Sequence, residues 1–569
     1  MLIRYEYYLA GAWLLAALFL SRREDRWRRP CRLFRRLGRN PALGVVLVGL
    51  VAAAGSAFVS LVVAWPEPRI HDEFSYLLAG DTFAHGRITS PPHPMHVYFE
   101  TFHVNQLPTY CSIYPPAQGL MLALGQVLGG HPLVGVWLSF GLACAAICWM
   151  LEGFVPTRWA VAGALLAAAR FGLVAGNSPG YWGQSYWGGA VAMAGGALAL
   201  GASRRLIREP RTRHALVLGL GLAVLANSRP FEGAIFSLPL AAALLAWLVT
   251  RGGPYLKAGL TRVVLPLSIV LGLTLAAMAL YNARLTGSAF RMPYQQNGMT
   301  YGLVPLFLWQ PLKAEPAYNH EVIRDYQVKW AAAAYFHMRS IGGYLGEIGN
   351  RIRTLVNFYA GPILLVPLLT LPVVLRNRWS QFAALVCATV LGGLSVTTWM
   401  QPHYAAPITG AVMLFVVQGL RHLRFWRPAG RPLGAALVHT LPVAYAAILL
   451  ISVAARTDAE SHGWQGERAR LLSELQQLSG QHLVLVHYGT DHSPHEEWVF
   501  NDADIDEAKV VWARDMSVSP EEYRSLGAGL HKRSSGPNDP NQPLLNYFSD
   551  RSVWLLDADE NPPVLRPYR

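Results

Sequence analysis

Two adjacent carboxylates, Asp72 and Glu73, stand in the run Pro66-Glu67-Pro68-Arg69-Ile70-His71-Asp72-Glu73-Phe74-Ser75-Tyr76. Paired acids suit two kinds of work. One carboxylate can take a proton from an acceptor hydroxyl or amine as a general base. Two can hold a divalent cation through oxygen ligands. The competing reading is local, because acidic residues favour the first turn of a helix and Glu73 to Leu78 has helical character. The same segment continues through Asp81, His85, His93, His96, Tyr98, Glu100 and His103 to Tyr114-Pro115-Pro116. The spacing of its histidines matches no standard metal site, so polar loop residues or phosphate contacts fit them better. No cofactor is demanded by these motifs; a divalent cation at Asp72 and Glu73 stays open.

Other candidates lie further along. Arg229, in Asn227-Ser228-Arg229-Pro230-Phe231-Glu232-Gly233, sits between two apolar runs where proline breaks the helix. Arg229 and Glu232 suit an ion pair near a membrane boundary, and a snorkelling arginine in a structural turn is the alternative. Arg291, Arg351 and Arg353 are further cations, and His403-Tyr404 precedes a late apolar run. Tyr181, Trp182, Tyr186 and Trp187 suit an interfacial belt or stacking on sugar or isoprenoid. Tyr294-Gln295-Gln296-Asn297-Gly298 offers amides for sugar hydroxyls. In the C-terminal region, His487 to Glu497 follows an expected strand, where ligands sit in parallel sheets; a solvated loop is the plainer reading.

The elements that must position these residues follow from composition. The 569 residues are 53% hydrophobic and 14% charged, against roughly 25% charged in a soluble domain. The missing charge implies a surface facing lipid. A span needs about 17–25 mainly apolar residues. Twelve such segments are expected, at 6-20, 42-65, 131-151, 158-176, 186-202, 214-228, 232-250, 263-283, 354-375, 380-398, 404-421 and 434-454. The net charge of +14 falls in short clusters between them: the arginines from Arg22 to Arg39, those from Arg204 to Arg213, and those from Arg421 to Arg431. Short basic loops mark the cytoplasmic side, so topology accounts for the charge and no nucleic-acid partner is expected. Keeping these loops on one side requires the apolar stretch 115-129 to be interfacial. Both termini then lie outside, and two long outer loops result, 66-130 and 284-353.

The fold class expected is therefore mainly α: a polytopic transmembrane helical bundle of about 12 spans with a small C-terminal extramembrane α/β domain. Residues 1-41 form the N-terminal span and basic loop, 42-454 the transmembrane domain, and 455-569 the extramembrane domain. Within the last, Glu467 to Leu478 has helical spacing, and His482 to His487, Lys509 to Ala513 and Ser552 to Leu556 read as buried strands.

Asp72-Glu73 after an early span, Tyr114-Pro115-Pro116 before a short apolar helix, and His403-Tyr404-Ala405-Ala406-Pro407 at the outer end of a late span resemble the membrane glycosyltransferases of the C superfold. That group includes protein O-mannosyltransferases, aminoarabinose transferases of lipid A and lipopolysaccharide-core transferases. The resemblance covers residues 42-454, and the order of the pieces is more specific than any one of them. It implies transfer of a sugar from a polyprenyl-phosphate donor to a lipid, glycan or protein acceptor of the envelope, usually with inversion, at the outer face of a bacterial inner membrane. It implies that Asp72 is the base or binds acceptor and metal, with Glu73 beside it. Arg229, Glu232, Arg291, His403, Tyr404, Tyr114, His93, His96 and His103 are then the candidates for holding donor phosphate and substrate. His403 departs from the arginine usual before that tyrosine, and histidine is only partly charged near neutral pH. A transporter or flippase, and a non-catalytic envelope assembly protein, are the competing classes. The first favours ionisable groups at mid-membrane depth and an inverted repeat.

Overall fold

In a run of Ala, Leu, Val and Gly the backbone has only itself to satisfy its polar groups, and the apolar stretches expected above are mostly helix among the described residues. The computed structural model describes residues 2–22, 40–63, 65–172, 182–251, 253–459, 463–489, 491–516 and 539–568. Two compact units result. The first is built from Met1–Pro66, Leu133–Ala277 and Ile341–Asp458, the second from Glu67–Pro132, Met278–Ser340 and Ala459–Arg569.

Among the described residues, seven helices are long and apolar enough to cross a membrane: Pro41–Val63, Pro132–Glu152, Gly189–Arg208, Pro230–Thr250, Leu256–Thr286, Pro402–Leu423 and Leu433–Ile451. Twelve were expected, and the difference has local causes. Helix Thr212–Ala226 has 15 residues, and the described part of the stretch 158-176 is helix Thr157–Gly172. The stretch 354-375 is broken where Ile341–Tyr359 gives way to Gly361–Leu368. Gly361 sits there at φ +57°, a conformation that costs other residues about 1–2 kcal/mol. Arg170 attends this break, donating through Nε to the Phe358 carbonyl at 2.8 Å and pairing with Glu6 at 2.7 Å. The expected basic segment Arg23–Arg39, with Gly180, Tyr181 and Thr490, lies outside the described residues.

Small residues set the packing of the first unit, as they do wherever apolar helices meet without a hydrophobic drive between them. A Cβ on Gly141 would stand 2.8 Å from the Gly49 carbonyl, so Pro132–Glu152 and Pro41–Phe58 meet backbone to backbone. A Cβ on Gly196 would collide with the Pro407 carbonyl. That contact seats the 3-10 turn Pro402–Ile408, which carries His403 and Tyr404, directly on helix Gly189–Arg208.

The second unit contains helix His71–Ala84 against helix Pro116–Gly129, a short antiparallel ribbon and a four-stranded sheet. The ribbon pairs β1 (Val104–Asn105) with β2 (Cys111–Ser112). The sheet comprises β3 (His482–His487), β4 (Val510–Arg514), β5 (Ser552–Asp557) and β6 (Val564–Pro567), in the order β4-β3-β5-β6. β3 runs parallel to β4 and β5, and β6 is antiparallel to β5. Helix Trp464–Gln477 covers one face with Leu471 and Leu475. On the other, Phe74, Leu78, Phe99, Val104 and Tyr110 share one core with Leu483, Leu485, Val511 and Leu555. The segment that carries Asp72 is thus packed onto the C-terminal sheet, and Phe74 stacks on Phe500 with ring centroids 4.2 Å apart.

Candidate functional site

Asp72 and Glu73 occupy the first turn of helix His71–Ala84, where the unpaired backbone N–H groups favour negative charge. The N-cap residue, Ile70, has no side chain to cap with. Glu73 turns back past it and accepts from the Arg69 N–H, outside the helix, at 2.9 Å. It is 5% exposed. Asp72, one position earlier, points elsewhere and is more open, its side chain 16% exposed.

The ribbon supplies the partners of Asp72. His103 precedes β1 and Tyr114 follows β2, so the pairing of Val104 with Ser112 brings them together. The Tyr114 hydroxyl donates to Asp72 Oδ1 and lies 3.2 Å from His103 Nδ1. His103 Nδ1 is 3.6 Å from Asp72 Oδ2. With the hydroxyl proton directed at Asp72, the phenol oxygen is left to accept from His103, which makes Nδ1 the protonated ring nitrogen. The result is a relay from imidazole to phenol to carboxylate, whose members polarise one another. Tyr76, one helical turn beyond Asp72, stacks on Tyr114 at 4.3 Å and fixes its ring.

The backbone around His103 is held just as closely. His103 has φ +59°, one of two non-glycine residues with positive φ among the described residues. That conformation stores about 1–3 kcal/mol and persists where its surroundings enforce it. Ser75 donates to the His103 carbonyl at 2.6 Å, and Ser112, 2.7 Å from Ser75, accepts from the Tyr114 N–H at 3.1 Å. The Tyr281 hydroxyl donates to the Tyr114 carbonyl at 3.2 Å.

His71 is a wall of the same place. Its Nε2 donates to the Pro494 carbonyl at 2.7 Å, and its ring stacks on Phe102 at 4.3 Å. Burial, with His103 repelling beside it, pushes its pKa down to about 3, so it stays neutral at physiological pH. No sequence signal identifies a backbone carbonyl 423 residues away as its partner. Further out, Glu100 accepts from Tyr301 at 3.0 Å and Asn319 at 3.1 Å. Burial and Glu100 raise the Tyr301 pKa, and burial, helped by Arg514, lowers that of His320 to about 3.

The remaining expected residues divide. His93 accepts from the Met95 N–H at 2.9 Å and donates to Asp506 at 3.0 Å, which ties it to the C-terminal region. His96 sits on the turn His96–Phe99. Arg291 donates to Gln296 at 3.2 Å, Gln295 accepts from the Met292 N–H, and Asn297 donates to the Val104 carbonyl, so these amides build the loop around them. In the first unit, Arg229 lies over the Tyr404 ring at 4.5 Å and is electrostatically coupled to buried Glu232. His403 is 1% exposed and packs 4.5 Å from Trp187. Arg351 donates to the carbonyls of Leu394, Thr397 and Thr398 at 2.8–3.0 Å, and so closes the end of helix Arg378–Ser395. Trp182 is fully buried on Phe171, inside the bundle.

Asp72 and Glu73 do not form a shared cation site, because one carboxylate faces Tyr114 and the other the Arg69 N–H. Among the described residues, no group of three or more His, Cys, Asp or Glu side chains is arranged to hold a metal ion.

No family model and no curated protein matches the chain. Solved structures similar to it include an oligosaccharyltransferase of Archaeoglobus fulgidus tethered to an acceptor peptide, 12% identical with a TM-score of 0.38. The match covers 77% of this chain and 61% of that one, so the chain spans less than two thirds of that relative's length. ArnT from Cupriavidus metallidurans in the apo state is 14% identical with a TM-score of 0.44, the match covering 81% of this chain and 85% of that one. The same ArnT bound to undecaprenyl phosphate is 12% identical, with the same TM-score and coverage. The solved structures the chain is similar to in these comparisons are thus an archaeal oligosaccharyltransferase and a bacterial ArnT, each at low identity.

Proposed function

We propose that this chain is a membrane glycosyltransferase. It moves a sugar from a polyprenyl-phosphate donor to a lipid, glycan or protein acceptor of the cell envelope. In this reading a C-superfold bundle of about twelve spans sits in a bacterial inner membrane. Loops 66-130 and 284-353 and the domain 455-569 face the periplasm.

The observation that carries the reading is Asp72: a partly exposed carboxylate that follows an apolar helix, held by Tyr114 and flanked by His103. Asp72 takes the proton of the acceptor hydroxyl or amine. The acceptor atom attacks the anomeric carbon, the bond from that carbon to the phosphate oxygen breaks, and the polyprenyl phosphate leaves with the electron pair. In-line displacement inverts the anomeric centre. Arg229, with Tyr404 and His403, is the candidate for meeting the phosphate charge, because guanidinium matches phosphate in both charge and geometry. Glu73 holds the first turn, which keeps Asp72 in place.

The buried Glu6–Arg170 pair would suit a transporter, since ionisable pairs inside bundles often line pathways. Arg170 is already engaged by carbonyls at the helix break, which suits a structural role better.

The test supplies the purified full chain with labelled polyprenyl-phosphate sugars and envelope acceptors. Asp72→Asn keeps the shape and removes the base, so transfer should fall about 10²–10⁴-fold. Undiminished transfer would remove Asp72 from this role, and transfer from no donor at all would remove the enzyme reading.

A further inference from the structure

The segment Tyr326–Ala331 is a turn of π-helix. It is one of three π-helical segments among the described residues, with Val59–Val63 and Leu260–Val264. Here it brings Tyr326 and Trp330 face to face, with centroids 4.9 Å apart and planes 29° from parallel. Trp330 is 42% exposed. His495, from the C-terminal region, meets the Trp330 ring edge-on at 4.9 Å and lies 5.8 Å from His71 in a parallel stack. Phe102 closes the row, 4.9 Å from Tyr326 and 4.3 Å from His71. His71 in turn stands 5.5 Å from His103, the neighbour of Asp72. Three distant stretches of chain thus contribute rings to one wall that begins at the carboxylate and ends in an exposed indole.

Two of the imidazoles in the wall favour their neutral form. Burial, then repulsion by His103, lowers the pKa of His495, and His71 is held near 3 in the same way. A neutral imidazole offers one donor and one acceptor. An aromatic face is electron-rich and attracts weakly positive C–H groups. A pyranose ring has the matching surface: one face of C–H groups, with hydroxyls around the rim. A hydrocarbon chain would have no use for the polar edge.

We propose that Trp330, backed by Tyr326 and edged by His495, is the stacking platform for a pyranose ring, either the donor's sugar or a sugar of the acceptor. The substrate class rests on the glycosyl-transfer reading; the platform itself does not. His495 gives the C-terminal domain a part in substrate binding.

Saturation-transfer NMR on the detergent-solubilised full chain tests the platform without turnover, using methyl α-glucopyranoside, methyl α-mannopyranoside and methyl β-galactopyranoside as probes. Saturation of ring C–H protons is expected in wild type and in Asp72→Asn. It should fall about tenfold in Trp330→Ala and be largely kept in Trp330→Phe, which retains a ring. Saturation that is unchanged in Trp330→Ala overturns the platform. So does transfer to detergent chains alone, which would make Trp330 an interfacial anchor. In the transfer assay, Trp330→Ala should raise KM about tenfold with kcat little changed. A rise confined to the donor's KM assigns the donor sugar, and one confined to the acceptor's KM assigns the acceptor glycan. Transfer with both KM values unaltered overturns the platform and leaves the enzyme reading standing. Sugar binding that is lost in Trp330→Ala, with no transfer from any donor, does the reverse.

Discussion

Removing one oxygen atom tests the relay at Asp72 more sharply than removing the carboxylate. Tyr114→Phe deletes the hydroxyl that donates to Asp72 Oδ1 and keeps the ring that stacks on Tyr76. A hydrogen bond to a charged acceptor is worth about 1.5–3 kcal/mol. The donor favours the charged carboxylate, so losing the bond should raise the Asp72 pKa. His103 moderates this. Its Nδ1 loses the phenol oxygen and lies 3.6 Å from Oδ2, close enough to turn toward the carboxylate and replace part of the lost stabilisation. The expected shift is therefore smaller than outright loss of the bond would give. The assay is the pH dependence of kcat/KM, whose acid limb reports the base in the free enzyme. The limb should move to higher pH in Tyr114→Phe, with the melting temperature little altered. An acid limb that stays in place while Asp72→Asn abolishes transfer would refute the claim that this hydrogen bond stabilises the basic form.

The same reasoning gives two predictions about stability. Arg170→Met leaves Glu6 buried without its partner and should destabilise the chain by about 3–5 kcal/mol, while Arg170→Met with Glu6→Met should recover much of the loss; melting temperatures of the solubilised protein decide it. His71 and His320 are held near 3, against an ordinary 6.5, so the unfolded chain binds more protons between those values. Their contribution is complete above pH 6.5 and is lost as pH falls toward 3, by up to about 1.4 kcal/mol per pH unit for each histidine. Equal stability at pH 7 and pH 5 would show that these histidines are not buried as neutral rings.

Helix and strand positions were legible because they follow from burial periodicity. The strand expected at 482-487 is β3, His482–His487, and the short apolar stretch 115-129 is the helix Pro116–Gly129. Legibility failed where one residue decides a length. Gly361 interrupts what composition reads as a continuous span, and the hydropathy of a window carries no record of a φ angle. Arg351 shows a related limit. An arginine beside an apolar run looks like a phosphate ligand, yet its hydrogen bonds close the end of a neighbouring helix. Nothing in the sequence reveals which carbonyls need a donor.

The pair Asp72-Glu73 shows why the site was only half legible. As residue types the two acids are nearly equivalent, and adjacency gives no reason to prefer one. Helix geometry separates them by about 100°, and that rotation decides their partners. Glu73 turns back to the Arg69 N–H, which ties the first turn to the segment before it. Asp72 turns to a phenol and an imidazole, brought together by two two-residue strands too short to show any alternation. The partner types could be named in advance, since His103 and Tyr114 were both candidates, but their convergence depends on the left-handed turn at His103. The base assignment therefore rests on tertiary geometry, and the identity of the acids alone would not support it.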